Sequence, residues 1–287
     1  MKGLILAGGS GTRLYPMTKA VSKHLFSVYD KPSIFYPLSI LMLADIRDIA
    51  IIVNPKDISL FKELLGTGER YGIQLSYLVQ ETPAGIADAF NVAEQFLDGS
   101  PSTLILGDNF FYGYELPKRL RHVAQNLKGA TIFTLQVKNP QNFGVIEFNS
   151  DLSPARLIEK PLAPKSNWAV TGLYLYDKHV CDYVKELKPS ARGELEITDL
   201  NNLYLNKNQL QVERLGRGTA WLDTGTPDGL LSCATFVRTL EERQGLKVSC
   251  LEEIALNREF LTKEQLRKIV DQDPSCAYSD YIRSLLV

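Results

Sequence analysis

Arg13, Lys23, Asp108, Glu159, Lys160 and Asp223 each stand at or just beyond the end of an apolar or glycine-rich run, and their side chains suit phosphate chemistry. Arg13 closes the turn Leu6-Ala-Gly-Gly-Ser-Gly-Thr-Arg13, in which Gly8, Gly9 and Gly11 carry no side-chain bulk. Such a turn lets backbone N–H groups close on an anion at the end of a strand. Arg13 adds a permanent cation with a fork of donors matched to phosphate oxygens. The turn lacks the Lys-Ser/Thr ending of a P-loop and the third glycine of a dinucleotide fingerprint. A tight turn with a solvated arginine is the plainer alternative. Lys23 follows in Val21-Ser-Lys-His-Leu25, with Lys31-Pro32 beyond it. With Arg13 it would clamp a triphosphate and stabilise a departing pyrophosphate; alone it reads as solvated surface.

Two carboxylates repeat one pattern. Leu104-Ile-Leu-Gly-Asp108-Asn109 is an apolar run ending on an acid, and Trp221-Leu-Asp223-Thr-Gly-Thr226 has the same form. Carboxylates at strand C-termini face the crevice where open α/β sheets bind ligands. Two that converge suit Mg²⁺, a hard cation held by few carboxylates plus phosphate oxygens. Separately, each would serve equally as a turn or helix cap. In Glu159-Lys160-Pro161 the lysine would meet a second phosphate and Glu159 would accept from sugar hydroxyls; the alternative is an exposed ion pair of little energetic worth. Arg192-Gly-Glu194-Leu-Glu-Ile-Thr-Asp199 reads as the start of a helix with acids in its first turn. No G-x-S-x-G occurs, and no cysteine stands beside a histidine. His24, His122 and His179 are too scattered for a histidine metal site. The residues alone thus indicate a Mg²⁺-dependent enzyme acting on phosphorylated ligands.

The elements that must position these groups follow from hydrophobic periodicity. Short apolar runs at 3–7, 48–53, 74–79, 103–106 and 131–137 alternate with helical patterns at 34–44, 58–65, 86–97 and 116–127. That rhythm predicts an α/β fold: a Rossmann-like, mostly parallel sheet with helices on both faces. After about residue 140 the segments 144–148, 155–159, 168–176 and 211–222 are strand-like, predicting a small antiparallel region over the site. From Asp228 the pattern is helical, with Pro274 as a break. The expected layout is a core over 1–227 followed by a helical appendage over 228–287.

The 287 residues carry a net charge of −1, with 45% hydrophobic and 23% charged side chains. This excludes bulk attraction to nucleic acid or membrane, so any polyanion bound is small and locally recognised. Four separated cysteines, no C-x-x-C and no signal peptide predict reduced thiols and a cytoplasmic protein.

Leu6-Ala-Gly-Gly-Ser-Gly-Thr-Arg-Leu14, Val21-Ser-Lys23, Gly107-Asp-Asn109, Glu159-Lys-Pro161, Gly193-Glu-Leu-Glu-Ile-Thr198 and Trp221-Leu-Asp-Thr-Gly-Thr226 occur in one order. Together with Arg243-Gln-Gly and Cys250-Leu-Glu-Glu-Ile-Ala255, the set resembles the glucose-1-phosphate thymidylyltransferases of the sugar-nucleotide pyrophosphorylase superfamily. The resemblance implies in-line attack of glucose 1-phosphate on the α-phosphorus of dTTP, with Mg²⁺ as cofactor and no covalent enzyme intermediate. It implies that Leu6, Gly8, Gly9, Gly11, Thr12, Arg13, Gln80, Pro83 and Gly85 hold the nucleotide. Arg13, Lys23 and Lys160 would be catalytic, and Asp108 and Asp223 would hold the metal. Gly144, Glu159, Lys160, Val170, Thr171 and Glu194 would surround the sugar phosphate. Within the core the resemblance implies a nucleotide-binding part over 1–140 and a sugar-binding part over 141–227. It also implies a homotetramer with feedback inhibition by a dTDP-sugar near Tyr112, Gly113, Arg217, Gly218, Ser249 and Cys250. The supply of dTDP-rhamnose-type deoxysugars for cell-surface polysaccharide is the implied role. His24, Ser27 and Ala84 depart from the family pattern, where glutamine, proline and aspartate are usual. UTP or another sugar 1-phosphate, or binding without catalysis, are the alternatives these departures raise.

Overall fold

The computed structural model describes all 287 residues. Along the first half run β1 (Lys2–Ala7), β2 (Ser27–Val28), β3 (Lys31–Pro32), α1 (Phe35–Leu43), β4 (Asp48–Val53), α2 (Ile58–Leu65) and β5 (Gln74–Val79). Then follow α3 (Ala89–Leu97), β6 (Ser102–Leu106), β7 (Asn109–Tyr112), α4 (Leu116–Gln125), β8 (Ala130–Gln136), β9 (Gly144–Phe148), β10 (Pro154–Glu159) and β11 (Trp168–Tyr176). The rest comprises α5 (Val180–Lys185), α6 (Ile197–Asn206), β12 (Leu210–Arg214), β13 (Ala220–Asp223), α7 (Pro227–Gln244), α8 (Leu251–Asn257), α9 (Lys263–Val270) and α10 (Ala277–Ser284).

Nine strands form one sheet in the order β10-β9-β11-β6-β1-β4-β5, with β8 and β12 branching from β11. β6, β1, β4 and β5 are parallel neighbours. Because side chains alternate across a strand, β1 sends Leu4 to one face and Ile5 to the other. Leu4, Ala50 and Ile52 pack with Phe90, Val180 and Leu200 from α3, α5 and α6. Ile5, Ile51 and Val53 pack with Leu38, Phe61, Leu120 and Leu251 from α1, α2, α4 and α8. Burial on both faces explains why these strands read as unbroken apolar runs.

β11 is where parallel gives way to antiparallel. Its C-terminal half pairs with β6 and β8, and Ala169 near its start pairs with Val145 of β9. The register shifts between Val170 and Tyr174, and Thr171 Oγ1 fills the gap by donating to the Phe133 carbonyl at 2.9 Å. Residues 211–222, expected as one strand-like run, are two elements. β12 lies parallel to β8 in the large sheet, whereas β13 pairs antiparallel with β7 in a sheet of its own. The turn Gly216-Arg217-Gly218 separates them. The helix expected from residue 86 begins at Ala89, because residues 86–88 form a turn in which the Ala87 N–H donates to the Leu195 carbonyl.

The C-terminal helices are anchored from both ends. Thr226 caps α7 by accepting from Gly229 N–H at 3.1 Å, and Pro227 occupies the first turn, where no donor is missed. Farther along α7, buried Glu241 accepts from buried Lys31 at 3.0 Å, Lys247 at 2.8 Å and the Val248 N–H at 2.9 Å. Asp30 pairs with both lysines, so the β2–β3 hairpin, α7 and the 245–250 loop share one charge cluster. A buried charge that loses its partner is strongly destabilising. Glu241→Ala should therefore lower unfolding free energy by about 3 kcal/mol in urea titrations, and Glu241→Gln by visibly less.

Candidate active site

The C-terminal end of β6 delivers Asp108 and Asn109 onto the floor of a cleft of about 230 Å³. Lys23, in a short 3-10 turn after the glycine-rich loop, forms an ion pair with Asp108, both side chains being nearly buried. Burial by itself would raise the Asp108 carboxyl. The positive charge of Lys23, helped by its hydrogen bond and that from Asn109, outweighs it and holds Asp108 below the usual range, at about 2. Asn109 Nδ2 donates to Asp108 Oδ1 at 3.0 Å. Its Oδ1 accepts from the Gly172 N–H at 3.1 Å and the Trp221 indole N–H at 2.6 Å.

Asp223 ends β13 opposite Asp108. Burial, then the nearby charge of Asp108, raises its carboxyl above the ordinary value, against the Gly225 N–H at 2.7 Å and the Arg13 guanidinium at 3.4 Å. Two carboxylates facing one gap could hold a cation between them. The space for one is kept by Gly225. A β-carbon there would lie 2.8 Å from Asp223 Oδ1, 3.2 Å from Asp108 Oδ2 and 2.6 Å from an Arg13 nitrogen. The pair fits a hard divalent ion that draws its remaining ligands from phosphate and water. No third carboxylate, histidine or cysteine joins the pair in a metal-binding cluster.

Across the cleft, Glu159 at the end of β10 accepts from Thr198 at 2.6 Å. Arg192 lies 2.8 Å from Glu196, 3.4 Å from Glu194 and 4.0 Å from Glu159. Lys160, half-exposed and 3.6 Å from Glu159, has φ +43°, a left-handed conformation uncommon outside glycine. Its N–H donates to the Phe143 carbonyl at 3.1 Å, holding that bend in place. Trp221 packs against Phe143 at a tilt of 54°, with centroids 4.9 Å apart, and closes one wall. Gly144, Glu159, Lys160, Val170 and Glu194 all line this half of the cleft. Thr171 does not, since its side chain is fully buried with its hydroxyl bonded to Phe133.

Leu6 is the penultimate residue of β1, and Gly8, Gly9, Gly11 and Thr12 lead from the strand to Arg13, which lines the cleft. A β-carbon on Gly9 would sit 3.9 Å from Lys23 Nζ, so loop and lysine share one corner. Gln80, immediately after β5, is 4% exposed and stands beside Gly8. Pro83 is exposed; Gly85, at φ +106°, abuts the Leu195 backbone. Ser27 lies in the β2–β3 hairpin. His24 is buried against Gly107 and contacts the Ser22 hydroxyl at 3.1 Å. Burial, then the charge of Lys23, pushes its imidazole down to about 3 despite Asp108, so the pH-dependent charge open to a histidine is suppressed.

Sequence reasoning passed over Asn109, Arg192, Glu196, Trp221 and Phe143 as site residues, although the first four sit inside the motifs that drew attention. The alternating acids of Glu194-Leu-Glu196 after an arginine were the available signal; Phe143 carried none. A second cleft of about 240 Å³ includes Tyr112, Gly113, Ser249 and Cys250. Arg217 and Gly218 do not line it, though the Gly218 carbonyl is 3.3 Å from where a Gly113 β-carbon would be.

The family model described as nucleotidyl transferase matches residues 2–239. A Neisseria meningitidis glucose-1-phosphate thymidylyltransferase is 52% identical over 286 residues, covering 100% of this chain and 99% of its own. One from Mycobacterium tuberculosis is 50% identical with the same coverage. A Bacillus anthracis protein described as a glucose-1-phosphate thymidylyltransferase, solved with a sucrose, superposes with TM-score 0.77 at 40% identity, over 83% of this chain and 95% of its own. A UDP-glucose pyrophosphorylase shares the fold at TM-score 0.73 and 21% identity, over 83% of this chain and 98% of its own. A glycine-rich loop ending on Arg13, a lysine paired to Asp108 and a second carboxylate across a side-chain-free gap thus sit on a chain that matches these enzymes along its full length, and that belongs to the nucleotidyl transferase family and, within it, to the glucose-1-phosphate thymidylyltransferases.

Proposed function

We propose that this chain transfers the thymidylyl group of dTTP to glucose 1-phosphate, giving dTDP-glucose and pyrophosphate. One observation carries the reading: a single cleft places the cations and paired carboxylates, Arg13, Asp108 and Asp223, opposite the sugar-binding chemistry of Glu159, Lys160 and Glu194. A phosphate oxygen of glucose 1-phosphate attacks the α-phosphorus in line while the α–β bridging bond breaks, and its electron pair leaves with pyrophosphate. Holding two anions at contact distance is the main task, so positioning and fixed positive charge supply the catalysis. Arg13 and Lys23 face the departing pyrophosphate, with the backbone of Gly8, Gly9, Gly11 and Thr12 around the nucleotide phosphates. Lys160 neutralises the attacking phosphate, and the bend at its left-handed backbone aims it there. Gln80, Pro83 and Gly85 border the base. Asp108 and Asp223 would hold Mg²⁺, which when bound supplies charge neutralisation of the phosphates as a Lewis acid.

Beyond the cleft, residues 1–227 form the catalytic core and 228–287 the helical appendage, although Leu251, Ile254 and Leu261 pack into the main core. The second cleft is the place for a feedback-inhibiting dTDP-sugar. Exposed Tyr114, Leu231 and Leu246 provide apolar surface for a homotetramer. Four free cysteines suit a reducing cytoplasm, and no helix is long and apolar enough to cross a membrane.

With dTTP, glucose 1-phosphate and Mg²⁺ the protein should release pyrophosphate; a folded protein that releases none sinks the reading. Asp223→Asn should cut turnover by orders of magnitude and weaken Mn²⁺ binding, followed by electron paramagnetic resonance, at least about tenfold at an unchanged melting temperature. Normal Mn²⁺ affinity in that variant would remove Asp223 from the metal site. A dTDP-linked deoxyhexose should inhibit without being overcome by saturating dTTP; inhibition purely competitive with dTTP would place it in the catalytic cleft instead.

A further inference from the structure

We propose that Asp88 is a positioning residue that sets base selectivity by holding the Gln80 side-chain amide in one of its two orientations. The inference rests on the reading above that the base sits beside Gln80.

Asp88 immediately precedes α3, the place where an aspartate ordinarily accepts from the helix's own unpaired N–H groups. Here its carboxylate caps none of them. One oxygen accepts from Gln80 Nε2 at 2.9 Å and the other from Asn91 Nδ2 at 3.1 Å. A carboxylate offers acceptors only, so the Gln80 NH₂ must be the end turned toward it. The opposite orientation would set the amide oxygen against a carboxylate oxygen. The carboxylate cannot drift to accommodate that swap. Its backbone is held by the Val92 N–H donating to the Asp88 carbonyl at 3.1 Å, and by the neighbouring Ala87 N–H donating to the Leu195 carbonyl at 3.2 Å.

Gln80 Oε1 is therefore the end left over. It accepts no hydrogen bond within the protein, although the residue is only 4% exposed. A β-carbon on Gly8 would lie 3.1 Å from it, so glycine in the phosphate loop leaves this oxygen uncovered. A fixed acceptor with no partner inside the protein selects a donor. Thymine and uracil present an N3–H there, whereas cytosine presents a lone pair at N3 and meets oxygen with nitrogen. A free glutamine amide would serve both by turning over; one tied to a carboxylate serves the imide bases alone.

The test compares kcat/KM for dTTP, dUTP and dCTP, each with glucose 1-phosphate, in the wild type and in Asp88→Ala, Asp88→Asn and Gln80→Leu. The wild type should prefer both imide nucleotides to dCTP by about a hundredfold or more, as expected when a site's hydrogen-bonding group is left facing the wrong partner. Asp88→Ala should shrink the dTTP-to-dCTP ratio at least about tenfold, with dCTP activity rising in absolute terms. Asp88→Asn, whose single remaining oxygen is contested by Gln80 and Asn91, should fall between. A merely structural role would lower all three nucleotides together and leave the ratio intact, and that outcome overturns the proposal. If both Asp88 variants keep the ratio while Gln80→Leu collapses it, Asp88 is not the orienting group. If Gln80→Leu keeps the ratio as well, the base does not sit beside Gln80 and the underlying placement falls with it.

Discussion

Asn109 has one side-chain oxygen, and two donors from different strands claim it. The Gly172 N–H of β11 and the Trp221 indole of β13 both point at Oδ1, which leaves Nδ2 no choice but Asp108. Through this one amide the large sheet, the small β13–β7 sheet and the carboxylate floor of the cleft are held in a common frame. Lys23 and the segment carrying Asp223 both take their bearing from Asp108. Lys23 reaches it from the glycine-loop side, and Thr224, one residue past Asp223, binds its carbonyl through both the backbone N–H and the hydroxyl at 2.9 Å.

That frame produces an electrostatic asymmetry between two residues of the same type. Asp108, bonded to Lys23 and Asn109, sits below the ordinary carboxylate range, while burial and then the charge of Asp108 lift Asp223 above it. The cleft thus holds one carboxylate more acidic than usual and one less acidic than usual. Proximity of like charge is tolerated because the space between is shared with Arg13 and kept clear of side chains by Gly225.

The parallel core was legible because continuous runs such as Asp48-Ile-Ala-Ile-Ile-Val53 have only one economical explanation, burial on both faces of a sheet. Asp108 and Asp223 were legible as acids at the ends of such runs. The β13–β7 pairing was not, since β7 is four residues long and its partner lies more than a hundred residues away. The sugar side was half legible: Glu159 and Lys160 end a strand, but Trp221 joins the wall only because the chain leaves the main sheet at Gly216-Arg217-Gly218. Thr171 shows the opposite failure. The family resemblance alone set it beside the sugar phosphate, but a register shift in β11 turns its hydroxyl to the Phe133 carbonyl. The neutrality of His24 depends on burial beside Lys23, which no local pattern encodes.

The Leu195 backbone is hydrogen-bonded twice to the loop before α3, its N–H to the Ala84 carbonyl at 2.7 Å and its carbonyl to the Ala87 N–H at 3.2 Å. Leu195 lies between Glu194 and Glu196 on the sugar side, while Ala84 and Ala87 flank the segment beside Gln80 on the base side. The clamp therefore makes two substrate-facing segments one mechanical body. With the substrates placed as proposed, linkage makes any coupling through this clamp reciprocal: whatever factor dTTP adds to the affinity for glucose 1-phosphate, glucose 1-phosphate adds to the affinity for dTTP.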